Sequence, residues 1–388
     1  MAEAGQLSTS GAQVLATPHW HALEYAYDLW LRSSGVRLHT GYFIPDLRTM
    51  ELQDWDEQQC KAGFIQLEGA QGITETRVSE IAPGKTLPPV TFALDELVYV
   101  LDGRGLTTVW TAESGPKKTF EWQTHSLFMV PHGATRQFAN AQGDRAARLL
   151  HYNYLPLAMT VVQKREHFFG DFARGVAEAS GGIDNFYSEA SFQDIPLRGG
   201  FSRAMWYGNF FPDMQAWDKL ESGTMGARGA GSTSVQMRFP NSMTLAHMSQ
   251  IPAYRYKKAH RHGPGRFIVI PAGEGYSVMW EEGQEKVLVP WQEGSAFVPP
   301  NRWFHQHFNV GARPARYLAL HPPPQFSGHG EKVEDLERDQ IEYPNEDIWI
   351  RKTFEEELAN RGLKSQMPGE AYRDRDFEWE SNGSSDQQ

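Results

Sequence analysis

Hydrophobic and polar positions along this chain alternate in short runs broken by turn residues. TFALDELVYVLDGRGLTTVW (91–110) reads as strand with an Asp-Gly turn signal inside it, and PGRFIVIPAGEGYSVMW (264–280) has the same rhythm. Glu96 precedes Gly103 by seven residues and Arg266 precedes Gly273 by seven, with an offset of 170 between the pairs. HSLFMVPHGATRQFAN (125–140) lies opposite GSAFVPPNRWFHQHFN (294–309), matching Pro131 with Pro300, Arg136 with His305 and Asn140 with Asn309 at an offset of 169. Both copies then enter a strand-like run beginning Ala-Arg, at 147 and 315. Several anchors sharing one offset predict two copies of an all-β unit.

Three stretches have helical periodicity instead: ALEYAYDLWLR (22–32), residues 160–178, and NEDIWIRKTFEEELANRGL (345–363). In the last, Asn345 is the expected N-cap and Gly362 the stop. The predicted organisation is an N-terminal segment (1–50), a first β unit (51–156), a helical and loop linker (157–234), a second β unit (235–325), and an acidic helix and tail (326–388). The tail's end, RDRDFEWESNGSSDQQ, reads as poorly ordered.

Composition narrows the function classes. The 388 residues are 40% hydrophobic and 22% charged, with 36 Gly, 23 Pro and 12% aromatics, which suits a turn-rich β protein with a sizeable core. The net charge of -11 is concentrated at the end: residues 331–388 hold 17 acidic and 8 basic side chains, so the body is nearly neutral. No basic face speaks for nucleic acid. No apolar run approaches the ~18 residues of a membrane span, and the start lacks a secretory leader pattern. The single cysteine, Cys60, excludes an intramolecular disulfide and a Cys-rich zinc site, and reads as a small packing residue. A cytoplasmic protein is expected. Dinucleotide-binding glycine fingerprints, phosphate loops and Gly-x-Ser-x-Gly elbows are all missing from the sequence.

The sharpest chemistry is His260-Arg261-His262 with His305 further on. On a strand, residues two apart share a face, so His260 and His262 can converge on one ion while a third imidazole from another strand completes the set. Neutral imidazole suits Zn, Fe, Ni, Cu and Mn alike. The plain alternative is three unconnected histidines, exposed or satisfied in the core. A second pair, His19 and His21, is followed at once by a helix pattern, where positions two apart diverge.

The order His262, Arg266, Gly273, then Gly294, Pro300, His305 and Asn309, resembles the two motifs of the cupin superfamily. Glu96, Gly103, Pro131, Gly133 and Asn140 fit the same template, so residues 60–325 resemble a bicupin. That resemblance implies two tandem double-stranded β-helix (jelly-roll) barrels. It implies metal ligands His260, His262 and His305 in the C-terminal barrel only. In the N-terminal copy the histidine positions fall in PPVTF (88–92) and at Arg136, which implies a metal-free barrel or one binding an anion through Arg136. Arg266 replaces the usual glutamate ligand. A guanidinium beside a divalent cation is repelled unless an anion lies between, so Arg266 either binds an anionic substrate or points outward into a surface ion pair. His307, two residues past His305, is a candidate second catalytic residue, and Arg302, Trp303, Tyr276 and Trp280 are candidates for binding substrate. Phe304 and Met279 could also line the pocket.

Gentisate, salicylate and hydroxynaphthoate dioxygenases are bicupins of similar size. The resemblance to them implies Fe(II), with Mn, Zn or Ni as other metals, and O2 with a small anionic, oxygenated, hydroxy-aromatic substrate. It also implies a homodimer. In the gentisate type the working metal belongs to the N-terminal barrel, whereas here only the C-terminal one has ligands. Two other outcomes remain open: a non-oxidative metal-dependent isomerase, lyase or decarboxylase, and a non-catalytic bicupin that binds a small ligand.

Overall fold

Side chains at every second position share a face, so each alternating run can bury one face of a strand against a second sheet. The computed structural model describes residues 25–379 apart from 113–114, 171–172, 174–189, 197–201, 216–223, 226–227, 241, 324–325 and 327–337. In the first unit Cys60–Leu67, Glu75–Ile81, Ala147–Asn153, Glu96–Asp102 and Leu127–Val130 lie side by side in one sheet. They close over a smaller sheet of Val90–Thr91, Thr135–Asn140, Arg104–Trp110 and Lys118–Gln123, with Val98, Trp122 and Phe128 between. The second unit repeats the order: Thr233–Arg238, Leu245–Ile251, Ala315–His321, Phe267–Ala272 and Ala296–Phe297. Its smaller sheet holds Val287–Gln292, Glu274–Trp280, Phe304–Asn309 and Ala259–His260, with Ile268, Met279 and Trp291 inside.

The repeat extends to single atoms. The Asn140 amide donates to the carbonyls of Ile81, Ala82 and Arg145 at 3.1, 3.2 and 2.8 Å, and Asn309 does the same to Ile251, Pro252 and Arg313 at 3.0, 3.1 and 2.9 Å. Gly105 and Gly275 lie against a tryptophan and a neighbouring strand, where a Cβ would come within 2.2 Å of the Ala139 carbonyl and 1.9 Å of the Phe308 carbonyl. The expected Asp102-Gly103 turn forms, with Gly103 at φ +98°.

The units are tied together at their edges. Phe43–Ile44, from the N-terminal segment, pairs with Ala296–Phe297 of the second unit, and Phe210–Phe211, from the linker, pairs with Leu127–Val130 of the first. Their larger sheets share a core in which Tyr99, Met129 and Tyr152 meet Met237, Met248 and Phe267. Each such fully buried side chain contributes about 1.5–3 kcal/mol.

Three expectations need correction. The linker is not chiefly helical where it is described: it holds strands Ser191–Pro196 and Ser202–Tyr207, a one-turn helix at Leu155–Ala158 and a 3-10 turn at Arg165–Phe168. Of the helix expected over 160–178, residues 160–170 are not helical in the expected way because Ala93 and Gly170 use their amides in a bridge between Thr91–Ala93 and Phe168–Gly170. Ala173 is helical, and 171–172 and 174–178 lie outside the described residues. The C-terminal helix is Ile348–Asn360, capped by Asp347, whose carboxylate accepts from Trp349 N, two residues past the expected cap. Its stop at Gly362, φ +71°, is as expected. The tail packs through Phe377 and Trp379 on the core beneath that helix, with Arg255 over Trp379, while 380–388 lie outside the described residues. The N-terminal helix is Ala26–Ser33, and His19 and His21 lie outside the described residues. Cys60 is half-buried, and burial pushes its thiol up to about 11. Among the described residues no helix is long and apolar enough to cross a membrane.

Candidate metal centre

His260 pairs across the smaller sheet with His305, the only cross-strand partner of its two-residue strand on that side. Two positions on, the chain has left the sheet, but His262 still turns toward the same point. Ring centroids are 4.3 Å apart for His260 and His305, 4.6 Å for His262 and His305, and 5.8 Å for His260 and His262. One ring nitrogen from each lies within 4.8 Å of the others, and all three residues are buried.

The backbone sets the direction of each ring. Nδ1 of His260 faces the Lys258 carbonyl at 3.4 Å, that of His262 the Gly263 carbonyl at 2.7 Å, and that of His305 the Trp303 carbonyl at 3.2 Å. A carbonyl only accepts, so Nδ1 carries the proton and Nε2 keeps its lone pair, the tautomer a metal requires. His305 Nε2 is buried without a hydrogen-bond partner, an orphaned acceptor that a cation would satisfy. Burial first, and then nearby cations, hold His260 far below the usual imidazole range and bring His305 down to about 3. The three residues therefore suit a divalent ion.

The surroundings are cationic. Among the described residues Arg228, Lys257 and Arg266 act on these rings, and all three lower His305. Lys257 donates to Ser249 Oγ at 2.8 Å and to the Tyr317 hydroxyl at 3.0 Å, and Arg228 to Gln340 Oε1 at 2.7 Å. Arg266 is 8% exposed, so its guanidinium does not project freely into solvent. His307 shares the His305 face, with centroids 5.5 Å apart. Ser277 Oγ accepts from Trp291 Nε1 at 3.0 Å and lies 2.8 Å from His307 Nδ1. The Ser277 contact holds the His307 ring on that face.

Five other candidates lie elsewhere. Tyr276 and Trp280 occupy the opposite face of their strand from Ser277 and Met279 and pack under the C-terminal helix with Phe308 and Phe354, so they do not line the interior. Phe304 goes with them, stacked on Trp280. Arg302 sits at φ +64° in the turn where the template has glycine, and Asp339 binds its guanidinium at 2.6 and 3.1 Å instead of leaving it to a ligand. Trp303 is half-buried, its ring 6.0 Å from Tyr42, and it serves His305 through its carbonyl. Lys257, Arg228, Tyr317 and Asp339 were not expected. Tyr317 was within reach of the alternation rule, being an even step from Ala315 and Ala319 on an inward-facing strand. Lys257 has no such mark, since its neighbour Lys258 forms a different ion pair, with Glu342.

No known family profile matches the sequence, and no curated protein is significantly similar to it. Solved structures do align with it. A salicylate 1,2-dioxygenase from Pseudoaminobacter salicylatoxidans is 11% identical with a TM-score of 0.48, over 66% of this chain and 69% of that one. An oxalate decarboxylase from Lactobacillus farciminis is 12% identical with a TM-score of 0.46, over 74% and 87%. A 7S globulin from Momordica charantia is 14% identical with a TM-score of 0.44, over 72% and 83%. The strand order, repeated from one unit to the next, is two double-sheet β barrels in tandem. That is the architecture the sequence motifs imply.

The N-terminal barrel fills the equivalent place with ion pairs. Arg136 stands opposite Val90 in the register that His305 and His260 occupy in the other barrel. Its Nε lies 2.9 Å from Glu96 Oε2, Arg77 Nη2 lies 2.6 Å from Glu96 Oε1, and Arg77 also pairs with Glu75. Burial opposes the Glu96 charge, yet Arg136 and Arg77 hold the carboxyl well below its usual range. His151 lies 3.3 Å from Glu96 and 2.7 Å from Ser79 Oγ, and burial and Arg77 bring it down to about 4.

Proposed function

We propose that this protein is a mononuclear Fe(II) dioxygenase acting on a small anionic, oxygenated substrate, with His260, His262 and His305 as the protein ligands. The observation that carries the reading is the donor set: three buried neutral imidazoles with tied Nδ1 atoms, flanked by Arg228, Lys257 and Arg266. Three neutral ligands leave the ion's own charge uncompensated, which favours an anion as the remaining ligand. Bound iron would supply a redox-active centre at which substrate and O2 meet.

The chain's own groups then have separate tasks. Arg266 orients the substrate's anionic end by charge. His307, held by Ser277 on the same face, donates or accepts a proton. Lys257 and Ser249 hold the Tyr317 hydroxyl, and although burial opposes it, the ammonium draws that phenol below its usual range. The aromatic layer of Tyr256, Tyr276 and Phe308 beneath the C-terminal helix keeps water from the outer side of the sheet.

The test is anaerobic purification with elemental analysis, followed by an oxygen electrode and a panel of hydroxy-aromatic and keto acids. Bound iron with oxygen uptake that vanishes in His260→Ala is the expected result. Stoichiometric Zn, Mn or Ni without oxygen uptake would instead indicate a Lewis-acid isomerase, lyase or decarboxylase, and absence of metal even after reconstitution a binding module. Arg266→Ala is expected to raise KM for a carboxylate substrate at least about tenfold, the worth of one charged hydrogen bond, and to leave its amide analogue unchanged.

A further inference from the structure

The three histidines come from two separate segments, residues 260–262 and 302–305, and one carboxylate grips both. Arg261 lies between His260 and His262, and its Nε donates to Asp339 Oδ1 at 3.1 Å. Arg302 leads into His305, and its guanidinium donates to both Asp339 oxygens. The same arginine's backbone amide donates to the His262 carbonyl at 2.9 Å. Asp339 also receives the Arg261 amide on its own carbonyl at 2.9 Å. The next residue, Gln340, pairs with His260 in register and accepts from Arg228. Asp339 is 4% exposed, and although burial opposes its charge, Arg338, Arg302 and Arg261 hold the carboxyl below its usual range.

We infer that Asp339 is a positioning residue for the metal centre, joining the C-terminal segment to both ligand-bearing segments and fixing the separation of His262 and His305. The inference rests on the metal reading above. It explains why the turn keeps a left-handed arginine where glycine would be easier: the side chain is one arm of the clamp. A second consequence is that the acidic C-terminal region supports the centre through Asp339, which is not one of the three convergent ligands. Groups that hold ligands from behind typically change metal affinity about 10–100-fold when removed.

Metal-stripped, full-length protein titrated with Co(II), read by its d–d absorption, tests this without any substrate. Wild type is expected to bind one Co(II) at a site lost in His305→Ala. Asp339→Asn should bind about 10–100-fold more weakly with an altered spectrum, while Glu282→Gln, which frees only the exposed end of Arg261, should match wild type. A folded Asp339→Asn protein with wild-type affinity and spectrum overturns the inference. If that variant does not fold, Arg302→Gly removes one arm and relieves the backbone, and several-fold weaker Co(II) binding is expected; unchanged binding overturns the inference equally. Failure of wild type to bind Co(II) sinks the metal reading itself, and this inference with it.

Discussion

The two barrels meet at one point in register with opposite chemistry. The N-terminal barrel keeps the template's carboxylate, Glu96, and has Arg136 where a histidine would stand; the C-terminal barrel keeps the histidines and has Arg266 where the carboxylate would stand. In the first, Glu75, Arg77, Glu96 and Arg136 neutralise one another inside the protein. In the second, Arg228, Lys257 and Arg266 add positive charge around neutral rings. A barrel whose buried charges balance internally is a clamp. One that gathers neutral imidazoles around a single point is a ligand set, and that difference, rather than the shared strand order, sets the two barrels apart.

The contrast is broken most directly by removing the residue at the shared position. His305→Ala is expected to abolish metal binding and activity, whereas Arg136→Ala should leave metal content of the folded protein unchanged; elemental analysis of both decides it. Next in size, Glu96→Gln leaves Arg77 and Arg136 buried without a full counter-charge and should cost about 3–5 kcal/mol in denaturant unfolding, and a loss below 1 kcal/mol would remove the clamp from the account. The pH dependence follows from His151. Its folded pKa of about 4 lies below the ~6.5 of an unfolded histidine, so its contribution is intact above ~6.5 and is lost as pH falls toward 4. That loss is on the order of 3 kcal/mol, and it should be flattened in His151→Asn. The smallest effect belongs to Tyr276→Phe. The Tyr276 hydroxyl is buried without a hydrogen-bond partner, so thermal melts should show no loss or a gain of up to about 1 kcal/mol, with activity unchanged.

What could be read from the sequence was what is local and repeated. The offset of 169–170 held the two units together, and because His260 and His305 are register partners, the repeat placed the ring cluster as well. Alternation failed at Tyr276 and Trp280 for a physical reason: the C-terminal helix buries the outer face of that sheet, so both faces of the strand are apolar and the pattern does not mark the inner one. Arg228, Lys257 and Asp339 come from three unconnected segments, and nothing in their neighbours announces that they converge. The helix cap moved from Asn345 to Asp347 because Tyr343–Asn345 forms a 3-10 turn of its own.

The exchanged edges have a consequence for synthesis. A chain emerging from the ribosome cannot finish the first barrel until Phe210–Phe211 is made, long after its other strands, and Phe43–Ile44 must wait with open hydrogen bonds until Ala296–Phe297 arrives. The order of translation is therefore not the order of completion. Cutting the gene between the barrels would strand one unpaired edge on each half, so the halves should recover native structure only when mixed.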